Sequence, residues 1–109
     1  MADSDAQGKD LHPFTNIDRV IHAPARLMLM TYLYEVESVD FIFLMRLTGL
    51  TWGNLSSHLS TLEEAGYVHI EKQFVQKKSH TMIELTEKGR RAFKEYKRGL
   101  IDVLSELPD

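Results

Sequence analysis

The chain contains no cysteine, which excludes disulfide staples, thiolate zinc sites and cysteine nucleophiles. No apolar run approaches the roughly 18 residues that a membrane-spanning helix needs, so no membrane partner is expected. The first ten residues, MADSDAQGKD, are polar and acidic, unlike a secretory signal or a transit peptide. Together these absences lead to the expectation of a cytoplasmic protein. The marks of catalysis are missing as well: there is no Gly-rich phosphate loop, no HExxH, no GxSxG and no clustered carboxylate pair. His12, His22, His58, His69 and His80 are scattered, with no two at i,i+4 spacing. The expectation is a chain that is not an enzyme and holds no cofactor and no metal. Internal repeats and low-complexity segments are also absent.

What remains is 109 residues, 43% hydrophobic and 27% charged, enough for one domain with a modest core. The net charge of −3 hides an asymmetry. Residues 1–71 carry four basic and ten acidic side chains, a net of −6. Residues 72–98 carry nine basic and three acidic, a net of +6, and the last eleven residues add −3. A basic block of this kind marks either an interaction surface or a solvated helix laced with i,i+4 pairs.

Residues 1–13 read as a polar, disordered tail, and 14–109 as a single domain. A first helix is expected over about Phe14–His22, with Ile17, Val20 and Ile21 as its apolar stripe. Pro24 suits the first turn of a second helix, whose core positions are Leu27, Leu29, Met30 and Leu33. VESVD breaks it, with a short strand at Val36–Val39. Asp40 then caps a helix over Phe41–Thr48, with Phe41, Leu44 and Leu47 facing inward. Gly49 fits a left-handed C-terminal position, and Thr51 caps the next helix, which ends at Glu64-Ala65-Gly66. Two short helices joined by a three- or four-residue turn containing Gly make a helix-turn-helix. YVHIEKQFV and HTMIELT follow as a hairpin bridged by Gln76-Lys77-Lys78-Ser79. This bridge lacks Gly, so a loop longer than two residues is expected. A long helix from Thr86 to about Leu107 closes the chain before Pro108. The fold class is mainly α with a small β-hairpin (α+β): a winged helix-turn-helix with a long C-terminal helix.

Three segments carry a family resemblance: Ile21–Leu27, LTGLTWGNLSSHLSTLEEAGYV and LTEKGRRAFKEY. Through them the chain resembles small prokaryotic winged-helix transcriptional regulators of the MarR/ArsR-like superfamily, over roughly residues 16–100. The resemblance implies a homodimer on double-stranded operator DNA, with each recognition helix in a major groove and each wing along the backbone or minor groove. It leaves any small-molecule effector unknown, and it leaves open a metal-sensing site of histidines and carboxylates across the dimer, as in some relatives. Many relatives carry Pro in the wing before the Thr that re-enters the second strand, whereas here Ser79-His80 precede Thr81.

The expected DNA-binding set follows from the helical projection of 51–64, where Leu55, Leu59 and Leu62 face inward. Gly53, Asn54, Ser57 and Thr61 point outward, Ser56 and His58 flank them, and Thr51 caps the end. Asn can pair bidentately with adenine, and Ser or Thr with several base edges. Gly53 removes a side chain that would hold the backbone off the groove. This helix has no Lys or Arg, so the attraction for phosphate is expected from the wing: Lys72, Gln73, Lys77, Lys78 and Ser79. Arg90, Arg91, Lys94 and Lys97 read as solvating the outer face of the last helix, with contact to the DNA flanks as the alternative. Phe93, Tyr96, Leu100, Val103, Leu104 and Leu107 form a stripe long for a small monomer's core, so they are expected in a dimer interface with Ile17 and Val20 of the first helix. The alternative is a winged-helix module for protein–protein contact without DNA, which the acidic first 71 residues favour and the basic wing opposes.

Overall fold

A computed structural model of the chain describes residues 16–108. The expected tail 1–13, and the start of the expected first helix at 14–15, lie outside the described residues. The remainder of that expected helix, 16–22, is a run of turns rather than a helix. Asp18 is the physical reason. One of its carboxylate oxygens accepts from the backbone N–H groups of Val20 (2.8 Å) and Ile21 (3.3 Å), offering the chain a local alternative to helical bonding. Its other oxygen accepts the Tyr67 hydroxyl, so the segment is pinned across the fold while Ile17 and Ile21 still enter the core.

Helix α1 (Pro24–Tyr34) opens on Pro24, where a missing N–H costs nothing, and buries Leu29, Met30 and Leu33. The strand expected at Val36–Val39 is shorter and later, β1 (Val39–Asp40). Asp40 caps α2 (Phe41–Thr48) by accepting from Ile42 N–H (2.9 Å) and Phe43 N–H (3.1 Å). Phe41 and Leu44 face the core, but Leu47 does not; it is 47% exposed, one turn on from an equally outward Phe43. Gly49 ends α2 with φ of +75°, which only a residue without Cβ adopts freely. Three residues later α3 (Trp52–Glu64) begins.

Strands β2 (Val68–Val75) and β3 (Lys78–Leu85) pair antiparallel, and β1 adds to the far side of β3 in the order β1-β3-β2. Their connection corrects the sequence expectation. Only Gln76 and Lys77 lie outside the ladder, because Val75 pairs with Lys78, and both have positive φ (53° and 68°). This is the two-residue geometry whose twist matches that of the strands. The pairing of Ile70 with Ile83 and of Val68 with Leu85 sets the register from the buried end, and the turn must accommodate it without Gly.

Helix α4 (Glu87–Ser105) stops two residues short of the expected end. Its start is locked onto the rest by Thr86, whose hydroxyl accepts from Gly89 N–H (2.9 Å) and donates to Gly66 C=O (2.6 Å). A Cβ on Gly89 would fall 2.2 Å from the Tyr67 carbonyl oxygen, so Gly89 is the residue that lets α4 cross this backbone. Arg90 does not merely solvate the helix. It donates to the Tyr34 and Val36 carbonyls (both 3.2 Å) and lies over the Tyr34 ring, tying α4 to the end of α1. Leu44, Leu55, Leu59, Leu62 and Ile83 fill the centre of the core; truncating any one to Ala costs about 2–5 kcal/mol.

Candidate nucleic-acid interface

Helix α3 presents two faces of opposite character. Leu55, Leu59 and Leu62 are buried, whereas Trp52, Gly53, Asn54, Ser57 and Ser60 are exposed. Thr51 holds the N-terminus in place by accepting from Asn54 N–H at 3.1 Å. The remaining first-turn N–H groups point outward with the positive end of the helix dipole, a setting that favours an anion such as phosphate. A Cβ on Gly53 would meet nothing within 4 Å. No internal packing requires glycine there.

Beside α3 stands the two-stranded wing. Phe41, Trp52, Ser56, Ser60, Ile70 and Thr81 border a shallow groove between them, and a second groove of about 370 Å³ runs past Asp40, Trp52, Ser79 and His80. His80, just before the re-entering Thr81, places its Nδ1 3.0 Å from Asp40 Oδ1. The wing base is thereby bonded to the residue that caps α2. Burial works against ionisation of Asp40, but the His80 hydrogen bond and the Phe43 and Ile42 N–H groups outweigh it and hold the carboxyl below its ordinary value. The wing and the helix-turn-helix are thus joined through one carboxylate.

The profile of the winged helix DNA-binding domain family matches residues 25–104. The chain belongs to that family. This winged helix protein is 37% identical over 78 residues to an uncharacterised protein of Methanocaldococcus jannaschii, a match covering 72% of this chain and 85% of the relative. Among solved structures, it is similar to a transcriptional regulator homologue from Pyrococcus horikoshii, with a TM-score of 0.81 and 27% identity over 91% of this chain and 99% of that one. It shares the fold of a MarR-like transcription regulator from Bacillus cereus, with a TM-score of 0.65 and 21% identity, covering 97% of this chain and 81% of that one. The protein is a winged helix-turn-helix DNA-binding domain. Among the described residues, no helix is long and apolar enough to cross a membrane.

The winged helix brings most of the sequence-derived set to one side, with differences in detail. Thr51, Gly53, Asn54 and Ser57 lie together on the exposed first two turns of α3, and Ser56 faces the wing groove. Thr61 sits a turn further along, half-buried, and donates its hydroxyl back to Ser57 C=O at 3.2 Å. His58 is also turned inward. Its Nδ1 meets Arg26 Nη1 at 3.3 Å, while Arg26 Nε donates to Val20 C=O at 2.6 Å. A guanidinium only donates, so the ring nitrogen accepts in this contact. Lys72, Gln73, Lys77, Lys78 and Ser79 are all exposed on the wing, but Lys78 and Ser79 lie in β3 rather than in the loop.

The residues expected in the dimer interface divide in two. Ile17 (6% exposed) and Tyr96 (5%) are already buried in the protomer's own core, and Val20, Phe93 and Leu100 pack partly against it. The stripe read as intermolecular is intramolecular over these turns, because α4 lies across the 16–23 segment and α1. Val103 is half-buried, while Leu104 and Leu107 remain exposed together with Ile101, which the sequence pattern did not single out. Two residues on the interface side were likewise not foreseen. Trp52 is 60% exposed, with its ring tilted against buried Phe41 at 4.6 Å, and Phe74 stands out from the wing. Their signal in the sequence is only partial: an aromatic at the first helical position is ambiguous between core and surface until the neighbours are known.

Proposed function

We propose that the protein is a sequence-specific regulator that binds double-stranded DNA as a homodimer and acts as a repressor by occluding its site. The N-terminal half of α3 enters the major groove, where Asn54 and Ser57 read base edges and Trp52 offers an apolar surface to thymine methyl groups. Lys72, Lys77 and Lys78 hold the flanking phosphates through the wing. The observation that carries this reading is the first turn of α3. It is exposed, capped, free of acidic side chains and opened further by a glycine that no internal contact demands. The wing lysines answer the absence of positive charge in the helix itself.

Dimerisation is supported by the end of α4, where Ile101, Leu104 and Leu107 are 53%, 49% and 61% exposed. Beside them a broad groove of about 750 Å³ runs between α1 and α4, lined by Tyr34 and Phe93 and rimmed by Lys94, Lys97 and Arg98. A second copy of α4 laid along this strip buries the exposed leucines and removes an otherwise costly apolar patch.

Fluorescence anisotropy on duplexes from the protein's own upstream DNA tests the reading. Paired Lys77→Glu and Lys78→Glu should weaken all duplexes alike and lower the salt slope by about 0.9 for each phosphate no longer neutralised. Asn54→Ala should chiefly erode preference for the true site, by about 1–3 kcal/mol. Absence of binding to any duplex at low salt would overturn the DNA reading in favour of a protein-contact module. For the dimer, sedimentation should give twice the 12.6 kDa chain mass, and Ile101→Glu with Leu104→Glu should return it to monomer.

A further inference from the structure

The wing carries an aromatic ring that the fold does not use. Phe74 is 80% exposed, the most exposed large apolar side chain among the described residues. The ladder sets its direction. Directly paired residues share a face, and the Val68–Leu85 and Ile70–Ile83 pairs lie on the core side of the sheet. By strict alternation, Lys72 with Thr81 and Phe74 with Ser79 continue that face toward the tip. Ile70 and Thr81 on this same face border the groove shared with Trp52, Ser56 and Ser60 of α3. Phe74 therefore stands on the recognition-helix side of the wing, with Lys72 behind it on its face and Lys77 and Lys78 at the tip.

Two features say what this ring meets. The first is stiffness: the ribbon is paired up to Val75–Lys78 and closed by a two-residue turn, so the tip holds the ring out rather than folding it back. The second is charge. Lys72 on the ring's own face and Lys77 and Lys78 at the turn beyond it suit a polyanion, yet a phenyl ring gains nothing from phosphate and needs sugar or base to cover it. The minor groove, about 6 Å wide, is too narrow for the ribbon but admits a single side chain. Apolar side chains set there partly unstack a base step, and the energy required depends on how flexible that step is.

We propose that Phe74 is an apolar wedge that the wing places in the minor groove beside the recognition-helix contact, making the site selective for a deformable pyrimidine–purine step. The proposal rests on the DNA reading above and adds to it a second source of specificity, read as deformability rather than as base-edge hydrogen bonds.

In vitro selection from a random duplex library, run in parallel with wild type and Phe74→Ala, tests it. Wild type should recover a core motif flanked at a fixed distance by TA or CA/TG steps, whereas Phe74→Ala should recover the same core with that preference gone. On the selected duplex, Phe74→Ala should bind about tenfold more weakly with an unchanged salt slope, because the ring neutralises no phosphate. With 2-aminopurine at the flanking step, wild type should raise the fluorescence on binding and Phe74→Ala should not; Phe74→Leu should restore part of the rise. At so exposed a position none of these variants should lower the melting temperature. Identical selected motifs and affinities for wild type and Phe74→Ala overturn the wedge and leave the ring to another partner. So does a flanking 2-aminopurine that stays quenched with wild type bound. Wild type that selects no duplex at all refutes the DNA reading itself, and is told apart from the other outcomes by that first step.

Discussion

Replacing Gly53 by alanine should separate folding from DNA binding. Gly53 is the second residue of α3, and a Cβ built there meets nothing within 4 Å. Inside the protomer the added methyl therefore clashes with nothing and removes unfolded-chain entropy, a gain of about 0.5–1 kcal/mol. For a domain of this size that raises the melting temperature by about 2–8 °C. On DNA the sign reverses. The methyl stands where the helix backbone approaches the groove, and overpacking a close interface costs about 1–3 kcal/mol, which is about 5- to 150-fold in affinity. Thermal unfolding by circular dichroism reads the first effect, and anisotropy on a selected duplex reads the second. A variant that is more stable yet binds as tightly as wild type refutes the close approach of this turn to DNA. A variant that is less stable refutes the open space around Gly53.

Two other positions report on the scaffold. Gly89→Ala should destabilise the protein by about 3 kcal/mol or more, seen as a lowered urea midpoint, since its Cβ would overlap the Tyr67 carbonyl; an unchanged midpoint would show that α4 can shift aside. Asp40→Ala should cost about 1 kcal/mol at neutral pH through loss of the α2 cap. Its acid response carries a sign that can be checked. The folded carboxyl titrates below its ordinary 3.8, so it contributes stability fully above that value and loses it as pH falls through the folded pKa. Wild type should thus lose stability on acidification from about pH 4 downward, and Asp40→Ala should lose less over the same window. Parallel acid-unfolding curves for the two would contradict the Asp40 account.

The helix-turn-helix was legible because its signals are local. Asp40, Thr51 and Thr86 each accept from a backbone N–H two or three residues on, and Gly49 and Gly66 take positive φ, so residue type and spacing suffice to read them. The wing turn was misjudged for the converse reason. Gln76 and Lys77 show no preference for positive φ, and their conformation is imposed by the pairing of Ile70 with Ile83 several residues away. The 16–22 segment failed similarly: its apolar spacing suits a helix, but Asp18 diverts the backbone and is itself held by Tyr67, 49 residues on.

By itself the sequence determined the order of elements from Pro24 onward, most of their caps, the apolar face of α3 and the division between an acidic segment 1–71 and a basic block at 72–98. These depend on residues within a turn or two of one another, and on charges that can be counted. Only the tertiary structure decided which apolar side chains are spent inside the protomer. It placed Ile17 and Tyr96 in the core and left Ile101, Leu104 and Leu107 outside. It turned His58 onto Arg26 and away from the open face, and it left Trp52 and Phe74 exposed beside the recognition face. A stripe or a ring in a sequence states that a surface needs covering; what covers it is set by neighbours distant along the chain.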